Sequence, residues 1–572
     1  MQLVDSWRLF GPNLQTGGPA ALTEVAFDAG EDIARAVDAW RGELLRMAAA
    51  IGLPVPDAAA RLFRGGAVLT FSSTIDVLLP ATDLNEWAAQ SAVSVLRGDG
   101  PLALEPQRTH LAQLLRERTS PVLLALEAEA ARRGLPFTWD DELLTIGAGK
   151  ASATWPLTAL PAIESVAWDT LRAIPLALVT GTNGKTTSAR LLGRILKHMG
   201  HVVGMTTTDG IWADERLVEG GDFTGPAGAT SVMRMQGVDA AVLETARGGI
   251  LRRGVAVRTA GVALLTNVSD DHLGHYGIDN LGMLARVKAV VGTVIPATGR
   301  VVVNADDEYL MAQVSSFAAP LVLFSLDPAN EALVAHAARG TEHEAWTLRD
   351  GWIVRLAGEG STRVALVKDL PITFGGAARY NIGNAMGAAA AARVLGATDD
   401  QIRRALTTFR SDAADNPGRG NLVDVRGVSV LVDFGHNPAG IRSVLELVQG
   451  LRVDAPAQRS RRLAIVAGYA GDRSDESARD AARAIFEAKP ARVVLRDLKG
   501  YLRGRQPGEI PVIFRAELLA LGLPADAVQV IASEAEGLRA MLDWAEPGDF
   551  IVILAHLESA EVRAVIAEAQ SK

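Results

Sequence analysis

From Ile174 onward, short apolar runs alternate with segments of helical spacing. Pro175-Leu-Ala-Leu-Val-Thr, Ala240-Ala-Val-Leu, Gly261-Val-Ala-Leu-Leu and Arg300-Val-Val-Val are such runs. A strand that is apolar on both faces must be covered on both faces. A largely parallel sheet with crossover helices provides that cover. The alternation resumes after Asp415-Asn-Pro-Gly-Arg, with apolar runs at 428–432, 463–467, 492–495 and 550–554, and predicts a second open α/β sheet. Between the two units, the pieces TLRDGWIVRL and TRVALV within 314–375 suggest a small antiparallel insertion, and the Ala-rich stretch 385–394 a closely packed helix.

The residues before 173 read differently, as mixed α/β. The run 67–79 is strand-like, and 33–51 and 109–133 have helical spacing, the second closed by Gly134-Leu-Pro. Residues 147–161, with GAGK and two prolines, read as a connector. The chain has 572 residues, and roughly 150 residues per domain gives three to four domains. The pattern predicts three units at 1–172, 173–412 and 413–572.

Composition removes several classes of function. With 48% hydrophobic and 22% charged residues the chain is globular. The lack of cysteine excludes disulfide frameworks, thiolate zinc sites and cysteine nucleophiles. A net charge of −9 disfavours sequence-independent nucleic-acid binding. The opening MQLVDSWRLFGPNLQ lacks a basic segment followed by an apolar core, and no apolar run is long enough to span a bilayer. The expectation is a cytoplasmic protein with neither nucleic-acid nor membrane partners.

The chemistry concentrates where apolar runs end. Val179-Thr-Gly-Thr-Asn-Gly-Lys-Thr-Thr follows a strand and opens a helix, as a phosphate-binding loop requires. Thr182, Asn183, Gly184 and Thr187 would line it, Lys185 would bridge the β- and γ-phosphates, and Thr186 would reach Mg²⁺. The common GxxxxGK[ST] pattern has Gly where this chain has Val179; Gly181 and Gly184 supply the flexibility. Glu244 ends a strand at the edge where ligands of open α/β sheets bind, placed either to hold Mg²⁺ or to pair with Arg247. His272 stands in the polar turn NVSDDHLG, whose Asp270 and Asp271 fit helix capping equally well. In the distal unit, Arg419 on the turn Pro417-Gly-Arg-Gly suits a phosphate, and Asp433 a ribose hydroxyl. Asn437 is a candidate N-cap ahead of Pro438. GDRSDE and LRGR are further polar turns at sheet edges.

Together, VTGTNGKTT, GMTTTDGI, LVEGGDFTGP, AVLETARGGILR, NVSDDHLG, VVNADDE, DFGHNPAG, GDRSDE and LRGR resemble the Mur ligase family over about 174–505. The nearest branch is the Mur-like half of the cyanophycin synthetases. RLFGPNL, EAEAARRGLP and LTIGAGK resemble that branch's N-terminal domain, and only a short stretch after Lys150 stands where its ATP-grasp domain would be. The resemblance implies a P-loop central domain and a Rossmann-like C-terminal domain. It implies an ATP-dependent ligase that activates a carboxylate as an acyl-phosphate and joins it to an amine such as an amino acid. Its catalytic set would be Lys185, Glu244, His272 and Lys288, with Thr186, Glu244, His272 and a carbamylated Lys288 on Mg²⁺. Asn381 and Asn384 would face the adenine, and Arg419 and Asp433 the phosphates and ribose. Thr207, Thr208, Asp209, Arg247, His436 and Asn437 would lie on the substrate side. Partners would be small-molecule or peptide substrates and a second copy of the chain. The rival reading is a non-catalytic, nucleotide-binding accessory subunit of a complete cyanophycin synthetase.

Overall fold

The computed structural model describes residues 1–453 and 462–571. Its N-terminal sheet is antiparallel, in the order Gln2–Leu9, Ala20–Ala26, Gly66–Ser72, Ala58–Phe63. Helices Ile33–Ile51 and Leu78–Arg97 back it. The first starts where the Asp32 side chain accepts from the Arg35 N–H and stops at Gly52 in the left-handed region. Trp40 is fully buried beneath the sheet and donates its indole N–H to Asn85.

Three local expectations need correction here. The strand expected over 67–79 ends at Ser72, and its apolar tail turns into the buried start of the helix Leu78–Arg97. The helix expected over 109–133 is two helices, Gln107–Arg118 and Pro121–Arg132. Pro121 cannot donate to the preceding turn, and Ser120 caps the new start. The connector expected at 147–161 contributes the strand Ala153–Pro156 to a small antiparallel sheet with Phe137–Trp139 and Leu143–Ile146.

The central sheet has eleven strands. Its parallel core runs Val203–Thr207, Ala240–Glu244, Leu176–Thr180, Val262–Leu265, Arg300–Asn304, Leu321–Ser325, Ala345–Arg349. The antiparallel strands anticipated after 314 are not a separate insertion. Trp352–Ala357 and Gly360–Leu366 extend the same sheet past Ala345–Arg349, and Trp346 anchors that edge in the common core. At the opposite edge the hairpin Gly210–Ala213/Arg216–Gly220 adds two more strands.

Helix Arg379–Val394 packs over the sheet beside Lys185–His198. Its run of alanines is fully buried, and at Gly387 a Cβ would approach Leu264 to 2.9 Å, so small residues set the helix close to the strands.

The distal sheet is ordered Asn421–Val425, Val428–Asp433, Phe550–Leu554, Leu463–Tyr469, Arg492–Asp497, Val528–Val530, parallel except for its first pair. Among the described residues no helix is long and apolar enough to cross a membrane.

Strand Leu176–Thr180 lies where the chain order reverses. The chain leaves it for Val203–Thr207 and Ala240–Glu244 on one side, then crosses to Val262–Leu265 on the other. Such a switch point opens a crevice at the carboxyl ends of the strands. The carboxyl ends of the distal strands Val428–Asp433 and Leu463–Tyr469 line the opposite wall of the same cavity.

Candidate active site

The loop after Leu176–Thr180 is built by its glycines. Gly181 has φ 154° and Gly184 φ 81°, and a side chain at either would strike Thr266 or Asn384. Val179, at the position of the pattern's first glycine, is fully buried inside the strand, so the turn begins later here. The strand-end segment Thr266–Ser269 braces the loop. The Thr182 N–H donates to the Asn267 carbonyl at 2.8 Å, and the Asn183 N–H to Asn267 Oδ1 at 2.9 Å. Lys185 Nζ donates to the Thr182 carbonyl at 2.9 Å, folded over the loop it serves.

Glu244 and the loop's threonine come together. The Thr186 hydroxyl donates to Glu244 Oε2 at 2.8 Å, and the Thr208 hydroxyl and N–H contact the same carboxylate at 3.1 and 3.3 Å. Glu244 is 2% exposed. Burial pushes its carboxyl above the usual range, against the pull of Lys185 and Thr186. Among the described residues no group of three or more His, Asp or Glu can hold a metal by itself. A buried carboxylate beside a hydroxyl fits Mg²⁺, which commonly takes one or two protein oxygens and fills its shell with phosphates and water. Glu244 forms no ion pair with Arg247 among the described residues; Arg247 donates to the His272 carbonyl at 2.6 Å.

Lys288 reaches the loop from the helix Leu281–Thr293. It is 3% exposed, and its Nζ donates to the Gly181 carbonyl at 2.7 Å. Burial first, and then the positive charge of Lys185, drive its ammonium well below the usual range.

His272 is engaged elsewhere. Its backbone is left-handed at φ 56°, and its ring contacts Arg473 and lies 3.3 Å from Asp472 Oδ2, both in the distal domain. Burial lowers its pKa. Asp271 caps no helix; Asn280 caps the next one. Asp271 instead takes Arg473 at 2.7 Å and His436 at 3.6 Å. Burial would raise that carboxyl, but His436, His272 and Arg473 hold it well below the usual range.

The distal domain supplies the other wall of a cavity of about 700 Å³. Arg419 stacks on the Phe434 ring with its guanidinium carbon 4.2 Å from the centroid. Asp433 is buried, and accepts from the Gly435 N–H at 2.8 Å. Asn381 and Asn384 are hydrogen-bonded to each other, and Asn384 touches Gly184. Thr187 lines the cavity and meets the Asn416 amide at 3.3 Å. The Tyr380 hydroxyl and Arg473 Nε, on two residues that line the cavity, are buried with no hydrogen-bond partner. Such groups are costly unless a polar ligand meets them.

Three substrate-side expectations sit differently. The Thr207 hydroxyl faces the sheet edge, bonded to Gly210, Asp209 and Trp212, and does not line the cavity. Asp209 is held between Arg190 at 3.3 Å and Arg419 at 3.4 Å. Asn437 exchanges side-chain hydrogen bonds of 2.9 and 3.2 Å with Asn183, and so latches the distal domain to the phosphate loop. Thr208 lies on the Glu244 side. Arg247 and His436 line the cavity as expected. Asp271, Asp472, Arg473 and Tyr380 had no assigned site role from the sequence, although GDRSDE marked the position of two of them.

Residues 179–392 match the Mur ligase middle domain, and residues 418–557 the Mur ligase glutamate ligase domain. A cyanophycin synthetase of Crocosphaera subtropica is 38% identical over 66% of this chain and 42% of its own length. The UDP-N-acetylmuramoyl-L-alanyl-D-glutamate–2,6-diaminopimelate ligase of Corynebacterium efficiens is 29% identical over 68% of this chain and 71% of its own. The structure of E. coli FolC in complex with ADP superposes with a TM-score of 0.51 at 17% identity, covering 70% of this chain and 90% of that one. The chain thus spans less than half the length of the cyanophycin synthetase it matches.

Proposed function

The middle and C-terminal domains of this chain belong to the Mur ligase family, and from that premise we propose that the chain is an ATP-dependent ligase joining a carboxylate to an amine. The observation that carries the reading is the convergence of Lys185, Thr186 and Glu244 with Arg419, Asp433 and His436 on one cleft between two sheets. In the first step a substrate carboxylate oxygen attacks the γ-phosphorus of ATP; the bond to the bridging oxygen breaks, giving an acyl-phosphate and ADP. In the second, an amine attacks the acyl carbon, loses a proton, and expels phosphate as the amide forms.

Phosphoryl transfer asks mainly for position and charge. Lys185 starts 2.9 Å from its own loop's carbonyl and is free to exchange that bond for phosphate oxygens. Arg419 and the distal wall add positive charge only when the domains are together, which is the work of the Asn183–Asn437 latch. Bound Mg²⁺, held by Thr186 and Glu244, would neutralise charge on the phosphates. Asn381 and Asn384 frame the adenine side, and Asp433 the ribose.

A buried lysine displaced toward its neutral amine is a nucleophile for carbon dioxide. Lys288 is therefore the candidate for carbamylation, which would turn a cation beside the loop into an anion. His272 would join that side once released from Arg473.

Amino-acid or peptide carboxylates and amines are the proposed substrate class, with a place in cyanophycin-like metabolism. With only a short stretch after Lys150 where cyanophycin synthetases have their ATP-grasp domain, an accessory, nucleotide-binding role is the second reading.

The deciding experiment is phosphate release from Mg·ATP across aspartyl and glutamyl compounds combined with arginine, lysine or ammonia, with mass spectrometry of each mixture. Release that needs both substrates, with a condensed product lost in Lys185→Ala, supports the ligase. ATP binding without turnover for any pair refutes it and favours the accessory role.

A further inference from the structure

We infer that the N-terminal sheet is a working part of the active site: Arg61 and Trp7 are positioning residues that hold the segment 269–279 and, through Tyr276, aim Arg247 into the cleft. The segment is tied at both ends to different domains. At its start, the Ser269 N–H donates to the Thr182 hydroxyl of the phosphate loop at 3.1 Å. At its far end, Arg61 Nη1 and Nη2 donate to the carbonyls of Gly277 and Tyr276, each at 2.7 Å.

Between these ties the backbone takes left-handed conformations at His272 (φ 56°), Tyr276 (φ 55°) and Gly277 (φ 63°). For His and Tyr such angles persist only where surrounding contacts enforce them. At Tyr276 and Gly277 those contacts come from the first sheet, whereas His272 is held by Arg473 and Asp472 of the distal domain. Trp7 meets the Tyr276 ring edge-on at 5.6 Å, and a side chain at Gly277 would strike the Phe63 ring.

The Tyr276 ring is in turn the platform for Arg247, whose guanidinium carbon lies 5.6 Å from its centroid. Arg247 donates to the His272 carbonyl of the same segment and forms no ion pair among the described residues, so its charge is left for the cavity. A guanidinium held in this way suits a substrate carboxylate. Loss of Arg61 frees two carbonyls, relaxes the segment, and moves Arg247, without touching the nucleotide's own contacts.

The kinetic arm of the test rests on the ligase reading; the exchange arm does not. Arg61→Ala and Arg61→Lys are compared with Arg234→Ala, which cuts a different tie between the same two domains, to Thr145 and Leu143. Amide hydrogen exchange over 269–279 is expected to quicken at least tenfold in Arg61→Ala and to stay unchanged in Arg234→Ala. With the carboxylate–amine pair joined by the wild-type chain, KM for the carboxylate rises about tenfold in Arg61→Ala. KM for ATP stays within twofold, and Arg61→Lys recovers part of the loss. Equal exchange in all variants, or a KM change shared by ATP and by Arg234→Ala, overturns the inference. If the wild-type chain turns over no pair, the ligase reading fails on its own, and the exchange comparison still decides whether the sheet holds the segment.

Discussion

Glu244→Gln is expected to make the empty protein more stable and the loaded protein less so. The carboxylate is 2% exposed and accepts three hydrogen bonds, from Thr186 and from two groups of Thr208. Charge makes each such bond stronger by about 1 kcal/mol than its neutral counterpart, so the amide forfeits roughly 3 kcal/mol. Against this stands the burial of an ion, which costs several kcal/mol. The raised pKa fixes the sign of the sum, because it already includes the attraction of Lys185.

The net gain for Gln is then on the order of 1–2 kcal/mol, or about 2–8 °C in the melting temperature of a domain of this size. The pH dependence follows from the same direction. Below the unfolded value of 4.5 both states carry the neutral acid, and the wild type suffers no deficit. As pH rises toward the folded value the unfolded chain ionises first, so the wild type falls progressively behind, and above the folded value the gap is constant.

Scanning calorimetry in EDTA from pH 4.5 to 8 reads this directly. With Mg·ATP at about 100 times its Kd the wild type gains about 2.7 kcal/mol, whereas Glu244→Gln gains little, and the order of stabilities inverts. A Gln variant that melts below the wild type in EDTA at pH 8 would refute the reasoning.

Other outcomes follow from neighbouring groups. Lys185→Ala should lower turnover by about a thousandfold or more while leaving the fold intact, read as phosphate release beside a melting curve. Asn437→Ala breaks both bonds of the latch and should weaken Mg·ATP binding several-fold by titration calorimetry, with no added loss when Asn183→Ala is combined with it. Exposure to ¹³C-bicarbonate should give a carbamate resonance in the wild type that is missing from Lys288→Ala; its absence from the wild type removes carbamylation. Val179→Gly, which restores the commoner motif residue, should destabilise by about 3 kcal/mol in urea titration, because it removes a fully buried side chain and loosens a central strand.

What could be read from the sequence was whatever one element fixes alone. The apolar run ending in Glu244 specifies a buried strand whose last residue emerges at the ligand edge, and no distant contact is needed to see it. Strand, glycine turn and helix likewise fix the surroundings of Lys185 and Thr186. The misreadings lie where two signals compete. At 67–79 the buried apolar residues on either side of Ser72-Ser73-Thr74 hide a change from strand to helix. At 109–133 the helical spacing runs across Pro121, and backbone chemistry overrides it. Thr207 has the polarity of a site residue, yet the turn that follows it takes up its hydroxyl.

The cluster of Asp271, His272, His436 and Arg473 shows why the rest was hidden. Asp271 and Arg473 lie 202 positions apart; Arg473 already has Asp472 beside it in its own turn, so the sequence does not point it to Asp271. Their pairing exists only because two sheets present their carboxyl edges to one another. Arg473 is 6% exposed with Nε unpaired, an expensive state for a residue that serves packing alone. An arginine buried at the domain boundary pairs with Asp271 and His272 of the middle domain and with Asp472 of its own turn, so the meeting of the two domains decides its bonds. The residues least visible in the sequence are therefore the ones whose partners are set by how the two domains meet.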